Sequence, residues 1–363
     1  MIHTAVGLLG AFIVVGTVVS MVKTLVSPRG SSALVVRKDR AITATLRGVA
    51  RHTSTYAARD RVLTWVAPLS LLSSLVVWLG AYYLGFGLIM WAVSGLPAGE
   101  AFREAGSSLA TLGYSAHPGR ELRALDFAAA ATGPITISLL VGYLPTMYAA
   151  YQRREAEVTL LVGRANEPAW GPEVLRRHAA SSLLGELDGL FDAWERWAAD
   201  VSESHTNFPV LVHMRSTRPL RNWVVALLSV MDAAAIHLAL NPSIHQSPAR
   251  LMLRQGITCL REVATVERIP FDPDPSPDTP SQVSEEEFAV IVERLVRFGY
   301  PVERPIHEAY LNFRGWRANY ETLAESLADR IYAVPAPWSG PRTPAAPVIE
   351  PARIVDRRPT IES

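Results

Sequence analysis

From Val62 to Gly99 the chain carries no Asp, Glu, Lys or Arg. An apolar run of this length is the signature of a membrane-spanning helix. It is too long for one helix standing perpendicular to a bilayer. A tilted helix from about Leu63 to Trp91 uses most of it, and the rest, Ala92 to Gly99, holds the turn formers Gly95, Pro97 and Gly99. Two more uncharged stretches run from Thr4 to Val22 and from Phe127 to Gln152. The first, as a helix, is roughly 28 Å long, about the thickness of the hydrocarbon core. Its positive charges, Lys23 and Arg29, follow the run. A cleaved leader has them in front, so an uncleaved anchor is expected. The third stretch stops at Arg153 and Arg154, and Ala128 to Ala131 with Gly133 give it a small-residue face suited to close helix packing.

The loops orient these spans. Lys23, Arg29, Arg37, Lys38, Arg40, Arg47, Arg51, Arg59 and Arg61 face only Asp39 and Asp60 in the first connection. By the positive-inside rule this basic loop is cytoplasmic. The second connection sets Arg103, Arg120 and Arg123 against Glu100, Glu104, Glu121 and Asp126 and belongs outside. The expected topology has the N-terminus outside and the C-terminal region in the cytoplasm of a plasma-membrane protein. A net charge of +1 leaves no bulk attraction for nucleic acid. Cys259 is the single cysteine, which excludes an intrachain disulfide and a cysteine-based metal site.

Between the second and third spans, Pro97 fits near the first turn of a helix, and Glu100 and Glu104 favour its N-terminal half through the helix dipole. Ala101, Phe102, Ala105, Ser108 and Leu109 give it an apolar face as far as about Ala110, too short to cross a bilayer. The plain reading is an extracellular loop with a helical turn or two. Next comes Thr111-Leu112-Gly113-Tyr114-Ser115. This order of outer helix, short helix, Thr-Leu-Gly-Tyr and inner helix, over residues 62–152, resembles the potassium channel family. It resembles in particular the bacterial two-transmembrane type with a pore loop, here with an extra N-terminal helix. The family's filter usually reads Thr-Val-Gly-Tyr-Gly.

The resemblance implies a re-entrant pore helix and a selectivity filter at Thr111, Leu112, Gly113, Tyr114 and Ser115. Backbone carbonyl rings would replace the water around permeant potassium. Gly113 would supply a positive φ, the Thr111 hydroxyl an oxygen ring at the inner entrance, and Tyr114 a brace behind the filter. One loop per chain implies a homotetramer. The inner helix would bend at a hinge, Gly133 with Pro134, and again at Pro145; glycine and proline also occur in membrane helices that gate nothing. Two positions depart from the family pattern. Ser115 replaces the second glycine, and Ala116 and His117 stand where the family has an acidic residue. His117 reads either as a pH-sensitive group at the outer mouth or as an ordinary loop histidine.

Beyond Arg153 a stalk to about Leu161 is expected, then a helical cytosolic domain over residues 156–333. The spacing of apolar residues predicts helices at about Glu173–Ala199, Arg218–Leu240, Pro248–Val266, Ser284–Phe298 and Glu303–Ala333. Ser284 and Glu287 make a capping box. Residues 271–282 read as a flexible linker and 334–363 as a Pro-rich disordered tail. Glu186, Asp188, Asp192 and Glu195 suit a solvated helix face, the histidines show no ligand spacing, and no nucleophile elbow or phosphate loop is present.

The expected molecule is thus an all-α membrane protein with an anchor (1–27), a basic cytoplasmic loop (28–61), a pore domain (62–155), a helical cytosolic domain and a tail. Its expected function is passive potassium conduction. It is not an enzyme, and it needs no cofactor or bound metal beyond the permeant ions. Its partners are lipid, monovalent cations and copies of itself. The alternatives are a non-selective cation channel and a non-conducting membrane sensor or scaffold on the channel fold.

Overall fold

The computed structural model describes residues 2–27, 32–114, 120–243 and 245–352, the side chains at 120 and 121 excepted. Among these residues the architecture is all-helical, and the one strand-like pairing is an antiparallel bridge between Glu167 and Ala352. Four segments are long and apolar enough to cross a membrane: Ile2–Leu25, Tyr56–Ser94, Leu122–Ala165 and Trp223–Leu240. The helices fall into two compact units, Met1–Val49 with Leu63–Tyr148, and Ala50–Val62 with Ala149–Ser363.

The first unit is built around α1 (Ile2–Leu25) and α4 (Val66–Ser94). They run antiparallel: His3 lies edge-on to Trp91 at 5.7 Å, and the Trp78 indole donates to Ser20 Oγ at 3.2 Å. Their closest approach is glycine against glycine. A methyl group at Gly10 would stand 2.7 Å from the Gly85 carbonyl oxygen, and one at Gly85 would stand 3.0 Å from that of Gly10. Such small-residue crossings gain dispersion contact where no water is available to drive association.

The connection expected as a loop at 28–61 is largely helical, with α2 (Ala33–Ala50) and α3 (Tyr56–Leu63). Arg37, Lys38, Asp39 and Arg40 are consecutive and point round α2, so charge there does not exclude a helix, and Lys38 finds partners inside the unit. Lys38 of α2 donates from Nζ to the hydroxyls of Ser73 and Ser74 at 3.0 and 2.8 Å. The unit is completed by α5 (Ala98–Leu109) and by α6 (Arg120–Ala165) as far as Tyr148. In this part of α6 the buried residues recur as Leu122, Ala129, Gly133, Thr136, Leu140 and Met147, while Phe127, Ile135 and Val141 are exposed on other faces.

In the second unit α10 (Trp223–Leu240) is buried along its whole length. The Asn222 side chain caps it, accepting from Val224 N at 2.9 Å. Around α10 pack α7 (Gly171–Ala180), α8 (Leu187–Asn207), α11 (Ser247–Glu267), α13 (Ile306–Ala318) and α14 (Glu321–Arg330). Gly171 lets the start of α7 approach the α10 backbone at Ser229, and Gly256 of α11 seats Met231. The short α9 (Val210–His213) links α8 to α10, and α12 (Glu285–Arg297) starts at the capping box of Ser284 and Glu287.

The expected helix at 173–199 is two helices, and so is the one at 303–333. The first ends at Ala180 because Ser182 turns left-handed, at φ +58°. Leu183 N then bonds the His178 carbonyl at 2.8 Å and Ser182 N that of Ala179 at 3.1 Å, a Schellman closure. The second begins only after Pro305 and breaks at Asn319 and Tyr320, where Tyr320 points its hydroxyl at Asp232 at 2.9 Å. The tail expected to be disordered is packed over residues 334–342, and beyond them Ile349 N bonds the Pro335 carbonyl and Ala352 N that of Glu167. The Arg342 guanidinium is buried and donates to the carbonyls of Ala333, Val334 and Ser339 at 2.8–2.9 Å, which winds the chain into a closed loop. Trp338 meets Trp170 edge-on at 5.6 Å. Proline-rich composition lowers the entropy of such a loop as readily as it marks disorder. The linker at 271–282 is irregular but tethered: Arg261 donates to the Pro273 carbonyl, and Glu321 accepts from Ser281 and Gln282.

Candidate functional site

The short helix α5 begins after Pro97, whose extended backbone (ψ 143°) is followed by bonds from Glu100 N and Ala101 N back to its carbonyl. Its buried face is Ala101, Glu104, Ala105 and Ser107. The expected amphipathic face thus includes a carboxyl group, which the spacing of apolar residues does not reveal. Against α4 the Phe102 ring lies over Gly87 and the Tyr83 ring over Gly106, and the two rings meet edge-on at 5.5 Å. Against α6, Ser108 donates to Asp126 Oδ1 at 2.7 Å.

The deepest contact involves Gly133. A methyl group there would stand 2.2 Å from the Leu109 carbonyl oxygen, inside any real contact distance. The last turn of α5 therefore rests directly on the backbone of α6. The helix continues unbroken through Gly133, Pro134 and Pro145, and both prolines are exposed on it. The missing side chain at Gly133 thus has a packing use that does not involve bending.

At its C-terminus α5 closes with the same motif as α7. Leu112 N bonds the Ser107 carbonyl at 2.8 Å, Thr111 N bonds that of Ser108 at 2.9 Å, and Thr111 takes φ +56°. A left-handed β-branched residue is unusual and costs about 1–3 kcal/mol. Gly113 has φ +66° with open space around it. Leu112 and Tyr114 are 64% and 63% exposed. Thr111 to Tyr114 therefore form an exposed apolar and hydroxylic turn at the end of α5, while Ser115 and His117 lie outside the described residues.

The second unit holds buried charge of another kind. Arg154, expected as half of a basic stop at a surface, is fully buried. It donates to the carbonyls of Leu211 and Met214 at 2.8 and 2.7 Å and pairs with Glu155. Burial, reinforced by Arg154, holds the neighbouring His205 well below the ordinary histidine range, so the imidazole is neutral. Burial pushes Asp232 up to about 6 against the pull of Arg317, and pushes Glu325 up to about 7 with help from Glu321. Glu173 goes the other way: burial opposes its ionisation, but Arg176, Arg294 and Arg177 outweigh it. Among the described residues no group of three His, Cys, Asp or Glu is placed to hold a metal ion. Neither the models of known protein families, nor curated proteins, nor solved structures give a match to this chain.

Proposed function

We propose that the chain is the subunit of a passive cation channel of the plasma membrane, selective for potassium, in which α1, α4 and α6 span the bilayer. The observation that carries this reading is the placement of α5. A twelve-residue helix lies between two helices long enough to span, and it is packed onto α4 by Gly87 and Gly106 and onto α6 by Gly133. It holds Thr-Leu-Gly-Tyr exposed at its carboxyl end. Irregular backbone at membrane depth is tolerated where protein buries it or where it lines an aqueous path. Four copies around an axis would turn these segments into carbonyl rings, with the negative ends of four α5 dipoles directed at the ion. In this reading the N-terminus is outside and the second unit is cytoplasmic, where it assembles or regulates the pore.

A second reading, a membrane scaffold or sensor that does not conduct, is favoured by Thr111 itself, which is wound into a helix-ending motif and not extended. The reversal potential of the purified protein in liposomes, with potassium on one side and sodium on the other, separates the two. A value near the potassium limit supports the channel. Current reversing near zero replaces potassium selectivity with a non-selective pore. No current from the wild type or from Ser115→Gly supports the scaffold.

A further inference from the structure

The connection between α8 and α10 makes bonds that its own folding does not need. Leu211 and Val212 are buried, and the segment turns back through Met214 and Arg215. Its carbonyls face α6 beyond Tyr148: Arg154 donates to those of Leu211 and Met214, and the Tyr151 hydroxyl donates to that of Arg215 at 3.0 Å. The Arg154 guanidinium also lies over the rings of Tyr151 and Trp223, at 5.2 and 5.9 Å. In the other direction the Arg215 guanidinium reaches α3. It pairs with Asp60 and donates to the Tyr56 hydroxyl at 2.8 Å, and it reaches the carbonyls of Ile331 and Tyr332 at 2.7 and 3.0 Å. Arg59 of α3 bonds the Tyr332 hydroxyl and stacks on its ring, while Tyr56 stacks on the same ring at 6.3 Å.

Arg215 therefore joins two helices by two different parts of itself. Its carbonyl holds α6, and its side chain holds α3. Both helices run on into apolar segments of the other unit. α3 ends one short turn before α4 begins, and α6 is a single helix. We infer that residues 211–215 are a clasp that yokes the leader of α4 to the continuation of α6, so that the helical domain acts on both through one segment. This rests on the channel reading for its functional meaning, since the two yoked helices are those that flank the proposed filter. Buried, bidentate and fully partnered guanidinium groups make such a joint stiff, because letting go leaves desolvated carbonyls and a desolvated charge behind.

The test uses the full-length protein. Backbone amide exchange in detergent is followed in Tyr56–Leu63 and in residues 149–158, with α10 as the reference for global folding. Arg215→Gln removes the charged bonds to Asp60, Tyr56 and Tyr332. It is expected to speed exchange by about tenfold in both segments and to leave α10 unchanged. Tyr151→Phe removes one hydroxyl and is expected to speed both by a few-fold. Acceleration confined to one of the two segments overturns the clasp. If Arg215→Gln also loosens α10, the Tyr151→Phe result decides by the same criterion.

Single-channel recording supplies the second arm. Both variants are expected to change open probability several-fold at unaltered unitary conductance. An unaltered open probability in a conducting protein overturns the proposal. A wild type that passes no current overturns the channel reading instead, and the exchange data then still decide whether the clasp exists.

Discussion

Helices α4 and α10 are about equally apolar, yet all of α10 is buried against protein and only about a third of α4 is. A helix apolar all round belongs either in a protein core or in a bilayer, and composition does not separate the two. What separates them here is the company each keeps. The neighbours of α10 bring Arg317, Glu321 and Tyr320 to its Asp232, and its own cap is an asparagine. The neighbours of α4 bring glycine, aromatic rings and, near its start, the Lys38 ammonium, and Leu72 and Val76 are left facing outward at 59% and 69% exposure. Inside α10 the Asp232 carboxyl is met by Arg317 and by the Tyr320 hydroxyl, whereas the middle of α4 meets α1 by close approach of backbones at Gly85.

The sharpest way to break this comparison is to place one lysine on each helix. Ala234→Lys puts an ammonium into a site with no exposure, and the second unit is expected to lose about 3–5 kcal/mol or to fail to fold, seen as loss of cooperative melting. Val76→Lys is expected to cost about 3 kcal/mol of membrane insertion, read by glycosylation mapping in microsomes. Normal expression of Val76→Lys as a soluble protein would remove α4 from the membrane.

A smaller effect is expected from Gly133→Ala. The added methyl overlaps the Leu109 carbonyl, and overpacking of this kind costs about 1–3 kcal/mol. Thermal stability in detergent should fall, and on the channel reading ion flux should fall with it. A hinge that only needs flexibility would lose flux without losing stability.

The second unit should also carry a pH signature. Asp232 binds its proton more tightly folded than unfolded, so its share of stability declines as pH rises from about 4 to about 6. Wild type should therefore gain on Asp232→Asn as the pH is lowered through that window, measured as the difference in Tm. A difference independent of pH would mean that Asp232 is ionised throughout. The smallest effect is Ser284→Ala, about 1 kcal/mol, confined to unfolding of the second unit.

Much of the helix inventory could be read from the sequence. The box of Ser284 and Glu287 located α12, and the apolar spacing located α11 to within a residue or so. Helix ends were read poorly for a physical reason. Among the described residues the left-handed closing positions include Gly95, Asn166 and Gly299, but also Thr111, Ser182, Arg268 and Tyr332, so at four of these seven the usual glycine or asparagine signal for a stop is missing. The position of Thr-Leu-Gly-Tyr between two apolar runs was visible, but the Gly133 seat was not, because it depends on a backbone oxygen. Arg154, at the end of the third apolar stretch, and Arg342, within the tail expected to be disordered, are both buried. Both satisfy their guanidinium largely with main-chain carbonyls, and no residue type in the sequence announces a carbonyl acceptor.

Those closing residues also bear on how far the chain stands from its own optimum. At a left-handed position glycine relieves about 1–2 kcal/mol of steric cost, against about 0.4–1 kcal/mol of added freedom in the unfolded chain. Ser182→Gly and Arg268→Gly should each leave a modest gain, and together they form a mutational margin that needs no change to any core. Natural proteins commonly keep such margins unused. Thr111 is the exception in kind: on the channel reading its hydroxyl belongs to the ion path, and at that one helix end the easier backbone would be bought with the chemistry.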